Sequence, residues 1–141
     1  MGRNTTYLNT DLDLISADDL TLLAEAFASA GVTPLHVTRA EDGLWYARFE
    51  TDPQFGEPET NIAAMLGVLD TLPPPLRAVW DGCTRREFNV GYDAGLEPWS
   101  FSHTLSAALL GRMAASGASF GLTLYAYRVE DAADEADPGH D

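Results

Sequence analysis

The chain begins with a segment in which apolar and polar residues alternate. Between residues 7 and 14, apolar side chains and Thr10 occupy every second position, and polar side chains occupy most of the positions between them. A period of two residues is typical of a strand that is buried on one face only. We therefore expect the first strand to turn Leu8, Thr10, Leu12 and Leu14 toward the core, and Tyr7, Asn9, Asp11 and Asp13 toward solvent.

A helix is predicted directly after this strand. Apolar residues recur at helical spacing from Leu20 to Phe27, and Gly31 follows as a stop signal. Ser16 stands where an N-cap belongs, and the aspartates that follow it favour the positive end of a helix. This stretch therefore predicts a strand that passes into a helix capped by Ser16.

The rest of the chain divides into further short elements. Two runs around an acidic, glycine-ended AEDG turn at 40–43 predict a hairpin, whose second strand should turn Trp45, Ala47 and Phe49 inward. A second helix is predicted up to the prolines at 73–75, with a short helical turn after them. REFNVGYD at 86–93 predicts another strand, a third helix closes at Gly117, and SFGLTLYAYR at 119–128 is the last strand.

The predicted order is βαββα followed by βαβ, which indicates an α+β two-layer sandwich. The first six elements have the order of a ferredoxin-like βαββαβ core, with an extra αβ unit after them. We expect a mostly antiparallel sheet with helices on one face. Residues 1–128 are predicted to form a single globular domain, and 129–141 an acidic, disordered tail.

Net charge narrows the range of partners. The chain has 22 acidic and 8 basic residues and a formal charge of −14, which disfavours nucleic acid and anionic membranes as partners. All the basic residues are Arg, as expected of a bacterial genome rich in GC. A single cysteine and the absence of a leader-like segment predict a reducing, cytoplasmic setting.

Residues that could perform chemistry are few. Asp11 and Asp13 form an Asp-x-Asp pair that could bind Mg²⁺, but phosphate chemistry also needs a cationic clamp, and the chain has no Lys. The histidines share no metal-ligand spacing, so no metal or cofactor is predicted. A Cys83 nucleophile paired with His36 or His103 stays open, although a buried or spectator cysteine is favoured. We assign no catalytic residue.

If helices cover one face of the sheet, the other face collects the polar strand positions. Tyr and Arg are enriched in protein interfaces, and both occur there beside carboxylates. An ordinary solvated sheet face is the alternative. Arg85 and Arg86 are expected to pair with these carboxylates, and Gly91 indicates a bulge or a close backbone approach. The predicted partner-binding residues are Tyr7, Asp11, Asp13, Tyr46, Arg48, Asp93, Tyr125 and Tyr127.

These observations favour a small acidic protein-binding module, comparable to bacterial immunity proteins or antitoxins or to an accessory protein. It would engage a basic protein through the open sheet face. One alternative is a homodimeric structural accessory protein that uses the same face on itself. The other is a small hydrolase that depends on carboxylates or on Cys83.

Overall fold

A computed structural model describes residues 4–128 of the chain. Five strands and four helices follow one another as β1 (Thr6–Ser16), α1 (Thr21–Ser29), β2 (Val32–Arg39), β3 (Trp45–Thr51), α2 (Pro58–Asp70), α3 (Pro74–Asp81), β4 (Arg85–Asp93), α4 (Ala107–Ala115) and β5 (Ser119–Tyr125). None of the described helices is long and apolar enough to cross a membrane. The predicted acidic tail, 129–141, lies outside the described residues.

The strands form one open sheet in the order β2-β3-β1-β4-β5, with β1 in the centre. Three neighbouring pairs are antiparallel, and only β4 and β5 run parallel. The α+β class and the mostly antiparallel sheet are thus confirmed. The specific ferredoxin-like topology is not, because the order of five strands with a parallel pair at one edge differs from a four-stranded antiparallel sheet.

The hydrophobic core lies between one face of the sheet and the helices. Leu12, Phe49 and Phe88 point to this side from three adjacent strands and are fully buried. The rings of Phe27 and Phe49 have centroids 5.0 Å apart, which joins α1 to the sheet. Burial of each such side chain stabilises the fold by about 1.5–3 kcal/mol. The helices add Leu23, Ile62, Met65, Leu69, Trp80, Leu109 and Met113 to the same cluster.

The hairpin and the helix boundaries follow the predicted pattern closely. β2 and β3 pair antiparallel, and the Ala40 amide donates to the Leu44 carbonyl oxygen at 2.8 Å to close the turn. Gly43 has a φ of 84°, which glycine adopts without strain. α2 ends before the prolines, and α3 is the short helix predicted after them. Each of these features was set by local sequence signals.

The start of α1 differs from the prediction. Ser16 is not an N-cap, since it is the last residue of β1, is fully buried and pairs with Trp45. Its Oγ accepts the Asp18 amide at 3.0 Å. The helix begins at Thr21, whose amide donates to Oδ1 of Asp19 at 2.7 Å. Strand pairing holds Ser16 in the sheet, and this overrides its preference for a helix start.

β1 also contains an irregularity that its sequence pattern does not reveal. Its register with β4 shifts between Tyr7, which lies opposite Tyr92, and Asn9, which lies opposite Gly91. Leu8 falls in the shift and is 48% exposed. Tyr7 turns to the helix side as a result, where it packs against the core. The predicted positions of Leu8 and Tyr7 are therefore wrong, because a bulge reverses the alternation of faces beyond it.

Candidate functional site

The face of the sheet opposite the helices, which we call the open face, is lined mostly by polar side chains from all five strands. Residues directly opposite in adjacent strands point to the same face, so the register fixes which side chains are neighbours. The open face comprises Asn9, Asp11, Asp13, Ile15, Thr33, His36, Thr38, Tyr46, Arg48, Glu50, Arg85, Glu87, Asn89, Asp93, Thr123 and Tyr125.

A pair of carboxyl groups occupies the middle of the open face. Asp11 on β1 is hydrogen-bonded to Glu50 on β3. Asn9 joins the two, since its Nδ2 donates to Oε2 of Glu50 at 3.0 Å and to Oδ1 of Asp11 at 3.4 Å. Burial, reinforced by the hydrogen bond and negative charge of Glu50, raises the pKa of Asp11 to about 7. Asp11 is therefore partly protonated close to neutral pH.

Arg48 is the cation that contacts the neighbouring aspartates. Its Nε donates to Oδ1 of Asp13 at 2.7 Å and lies 4.0 Å from Oδ2 of Asp11. The hydrogen bond to Asp13 raises the pKa of Arg48. Two carboxyl groups, of Asp11 and Asp13, thus lie beside one guanidinium, whose side chain is 46% exposed. We call Asn9, Asp11, Asp13, Arg48 and Glu50 the carboxyl network.

A second chain of polar contacts continues onto β4 and β5. Arg85 donates to Oε1 of Glu87 at 2.6 Å, and Thr123 donates to Oδ1 of Asn89 at 3.0 Å. Asn89 also donates to Glu87 at 3.4 Å. Arg86 does not join them, contrary to the prediction, because its position in β4 faces the helices. It donates there to carbonyl oxygens around the end of α3.

Two glycines let side chains lie close to the sheet surface. A Cβ at Gly91 would lie 2.8 Å from Oδ1 of Asn9, and one at Gly121 would lie 2.9 Å from Nδ2 of Asn89. The prediction at Gly91 was a bulge or a close approach by another backbone. A bulge does occur beside it, on β1 between Tyr7 and Asn9, but the group that approaches Gly91 closely is the Asn9 side chain. Gly91 thus leaves room for the amide that joins Asp11 to Glu50.

Two of the predicted tyrosines lie on the open face, but far from each other. Tyr46 pairs with Ile15, and Tyr125 pairs with Asp93, which in turn pairs with Thr6. Ile15 and Thr6 lie near opposite ends of β1. At about 3.3 Å per residue, the two tyrosine positions are therefore separated by roughly 25–30 Å along the strand direction. Tyr46 is further tied to the hairpin turn, where its hydroxyl donates to Asp42 at 2.6 Å.

The other two predicted tyrosines lie elsewhere. Tyr7 belongs to an aromatic group on the helix side, with its ring centroid 5.8 Å from that of Tyr92. Its hydroxyl is hydrogen-bonded to Thr10 and accepts from Nδ2 of Asn61 at 2.7 Å. Tyr127 follows the end of β5, and its hydroxyl is buried. A continuous tyrosine surface is thus not assembled, because the bulge in β1 redirects Tyr7 and the last strand ends before Tyr127.

Four polar residues of the open face were not among the predicted binding residues. Asn9, Glu50, Glu87 and Asn89 all occupy outward positions in the alternating pattern. That pattern was the available signal for finding them. Which of them meet depends on the register between distant strands, and local sequence does not encode that register.

Two grooves border the carboxyl network. One, of about 640 Å³, is lined by Leu8, Asn9, Asp93, Tyr125, Ala126 and Arg128. The other, of about 280 Å³, lies between Asp13, His36, Tyr46, Arg48 and Arg85. Asp11 and Glu50 line neither groove. The partly protonated carboxyl group of Asp11 therefore lies on a broad surface beside the grooves.

The remaining chemical candidates lie on the helix side. Cys83 is buried, and burial raises the pKa of its thiol to about 11, so it is not a ready nucleophile. Nδ1 of His103 is hydrogen-bonded to the Tyr92 hydroxyl at 2.9 Å. Within residues 4–128, no group of three or more His, Cys, Asp and Glu side chains is arranged to hold a metal ion.

Comparisons with known proteins add no relative from which a role could be transferred. No protein-family model, no curated protein and no solved structure matches the chain. The functional argument therefore depends on the geometry and charge of the open face.

Proposed function

We propose that the protein is a small acidic protein-binding module, of the immunity or antitoxin kind or an accessory protein, that engages a basic protein through its open face. The carboxyl network is the observation that carries this proposal. Arg48 bonds to Asp13, whereas burial and the neighbouring Glu50 raise the pKa of Asp11 to about 7. A guanidinium or ammonium group from a partner would supply the missing positive charge.

Such a contact has a defined chemistry. A cation bound beside Asp11 and Glu50 favours the ionised form of Asp11, so binding near neutral pH would release the proton of Asp11. Hydrogen bonds between charged groups are roughly twice as strong as those between neutral groups. The net charge of −14 would also speed the encounter with a basic surface in a salt-sensitive way.

We further propose a ferredoxin-like core, a bacterial source and a cytoplasmic setting for the protein. The strands β2-β3-β1-β4 are antiparallel neighbours in the βαββαβ part of the chain, which supports a ferredoxin-like core extended by α4 and β5. The absence of Lys supports a bacterial source, and the single Cys83 supports a cytoplasmic setting.

A carboxylate-dependent hydrolase is the second candidate, and the raised pKa of Asp11 favours it. A carboxyl group with a pKa of about 7 could act as a general acid at neutral pH. Neither open-face groove brings a small substrate against Asp11 or Glu50, however. Self-association through the open face is disfavoured, because it would bring two carboxyl networks together.

The test compares two double variants that change the formal net charge equally. Asp11→Asn with Asp13→Asn removes charge from the open face, whereas Asp18→Asn with Asp19→Asn removes it from the exposed turn before α1. Binding of a fluorescent hexa-arginine peptide is measured by anisotropy at low salt. We expect the open-face variant to bind about tenfold more weakly than wild type, a loss of about 1.4 kcal/mol, and the turn variant to change little.

Affinity capture from the source cells extends this test to the natural partner. Immobilised wild-type protein and the turn variant should retain the same basic protein, and the open-face variant should not. Equal losses of peptide binding in the two variants would contradict the proposal, since binding would then follow net charge and not a site. Hydrolysis of model esters or phosphodiesters that is abolished by Asp11→Asn would favour the second candidate.

A further inference from the structure

The two edges of the sheet differ in how they are protected. A free strand edge offers unpaired backbone groups to another chain, and proline, charge and bulges are the usual protection. β2 has all three, in Pro34, Arg39 and a register shift between Pro34 and His36. The strand at the other edge, Ser119–Tyr125, contains neither proline nor charge. Within residues 4–128, no strand pairs with its outer edge.

β5 also carries an uncovered apolar row on the helix side of the sheet. Phe120, Leu122 and Leu124 are 46%, 58% and 60% exposed. The β4 residues beside them in the register, Phe88, Val90 and Tyr92, are buried. The core layer therefore stops one strand short of the edge. A groove of about 490 Å³ lies beside Leu122 and Leu124 and is also lined by Phe101 and His103.

We propose that β5 pairs antiparallel with β5 of a second copy, about a two-fold axis through Leu122. The sequence SFGLTLY is self-complementary in this register. Phe120 would lie opposite Leu124 of the second copy, and the two Leu122 side chains would meet on the axis. Opposite residues of an antiparallel pair share a face, so the apolar rows would merge and the outer backbone groups would be satisfied.

The charge at this edge is compatible with a second copy. β5 itself contains no charged residue. The Glu87 carboxylate of the adjacent strand lies above Gly121 of β5, and it is paired with Arg85 at 2.6 Å. This ion pair offsets the negative charge beside the edge, so two acidic chains would meet here at an almost neutral strand.

The C-terminal residues of the same chain, 129–141, are less suited than a second copy to cover the apolar row of β5. Six of the thirteen residues from 129 to 141 are acidic, and Val129 is the one large aliphatic residue among them. Such a composition does not suit burial against Phe and Leu side chains.

The pairing would leave the open face of each copy free, so this inference stands apart from the proposed function. Two carboxyl networks would lie on the same side of a ten-stranded sheet.

The first test measures oligomeric state by sedimentation velocity over a range of concentrations. Leu122→Lys places a charge on the proposed axis. The control, Leu22→Lys, makes the same substitution on α1, where Leu22 is 67% exposed. We expect a wild-type dimer, a dimer for Leu22→Lys, and a dissociation constant raised by about a hundredfold or more for Leu122→Lys. A monomeric wild type, or a Leu122→Lys variant that dimerises normally, would overturn the pairing.

Cysteine cross-linking tests the register without disturbing the fold. Opposed residues in an antiparallel pair have Cα atoms roughly 4.5–5.5 Å apart, within reach of a disulfide, so Leu122→Cys should form a covalent dimer on mild oxidation. Phe120→Cys alone should not, because its copies would lie about 13 Å apart, but it should cross-link when combined with Leu124→Cys. Cross-linking of Phe120→Cys alone, or none by Leu122→Cys, would refute the two-fold axis.

Discussion

Replacing Asp11 by Asn should stabilise the protein at neutral and alkaline pH. The folded state raises the pKa of Asp11 from 3.8 to about 7, so it binds the proton more tightly than the unfolded chain does. Stability from this group is therefore fully present below pH 4 and is lost as the pH rises through 7. Asn keeps the shape, has no charge to lose, and can still donate a hydrogen bond to Glu50.

The size of the effect follows from the same pKa. A shift of this size would correspond to about 4 kcal/mol in a fully shielded site, and solvent screening at the sheet surface reduces that to about 1–2 kcal/mol. For a domain of this length, the variant should melt about 3–8 °C above wild type at pH 8. Near pH 4 the two proteins should melt together, because Asp11 is then protonated in the fold.

Thermal unfolding followed by circular dichroism across this pH range provides the measurement. Asp19→Asn is the matched control, because the same charge is removed where a hydrogen bond to Thr21 lowers the pKa of Asp19. The control should therefore not be stabilised at pH 8. The reasoning fails if Asp11→Asn melts below wild type at pH 8, or if its difference from wild type does not depend on pH.

Further predictions concern single residues other than Asp11. Ser16→Ala should cost about 1–3 kcal/mol in urea unfolding, because it removes the acceptor of a partly buried amide, whereas a merely exposed serine would cost almost nothing. Gly91→Ala should lower stability by roughly 1–3 kcal/mol, since the new methyl group would meet the Asn9 side chain. Gly111→Ala, in α4 with nothing within 4 Å, should instead raise it by about 0.5–1 kcal/mol. Cys83 should react with a thiol reagent in the native protein far more slowly than in urea, and equal rates would show that the thiol is accessible.

Much of the secondary structure was predictable because its signals are local. The AEDG turn, the prolines after α2 and the glycine that ends α4 each act within a few residues. Ser16 shows the limit of such signals. It has the chemistry of an N-cap, but strand pairing with Trp45 decides its conformation.

The candidate site was predictable in composition but not in arrangement. Alternation placed Asp11 and Glu50 on the outer side of their strands, yet nothing near either residue indicates that they meet. Their contact depends on the pairing of β1 with β3, and the bulge at Leu8 depends on the pairing of β1 with β4, which is still farther along the chain. The exposure of the β5 row likewise depends on where α4 stops covering the sheet.

Calorimetry of hexa-arginine binding at pH 7 tests the functional account most directly. Titrations in two buffers with different ionisation enthalpies give the number of protons released on binding. The account predicts release of a fraction of a proton by wild type and by Asp18→Asn with Asp19→Asn, and none by Asp11→Asn. If wild type releases no proton on binding, or if Asp11→Asn releases as many protons as wild type, then the cation does not bind at the carboxyl network.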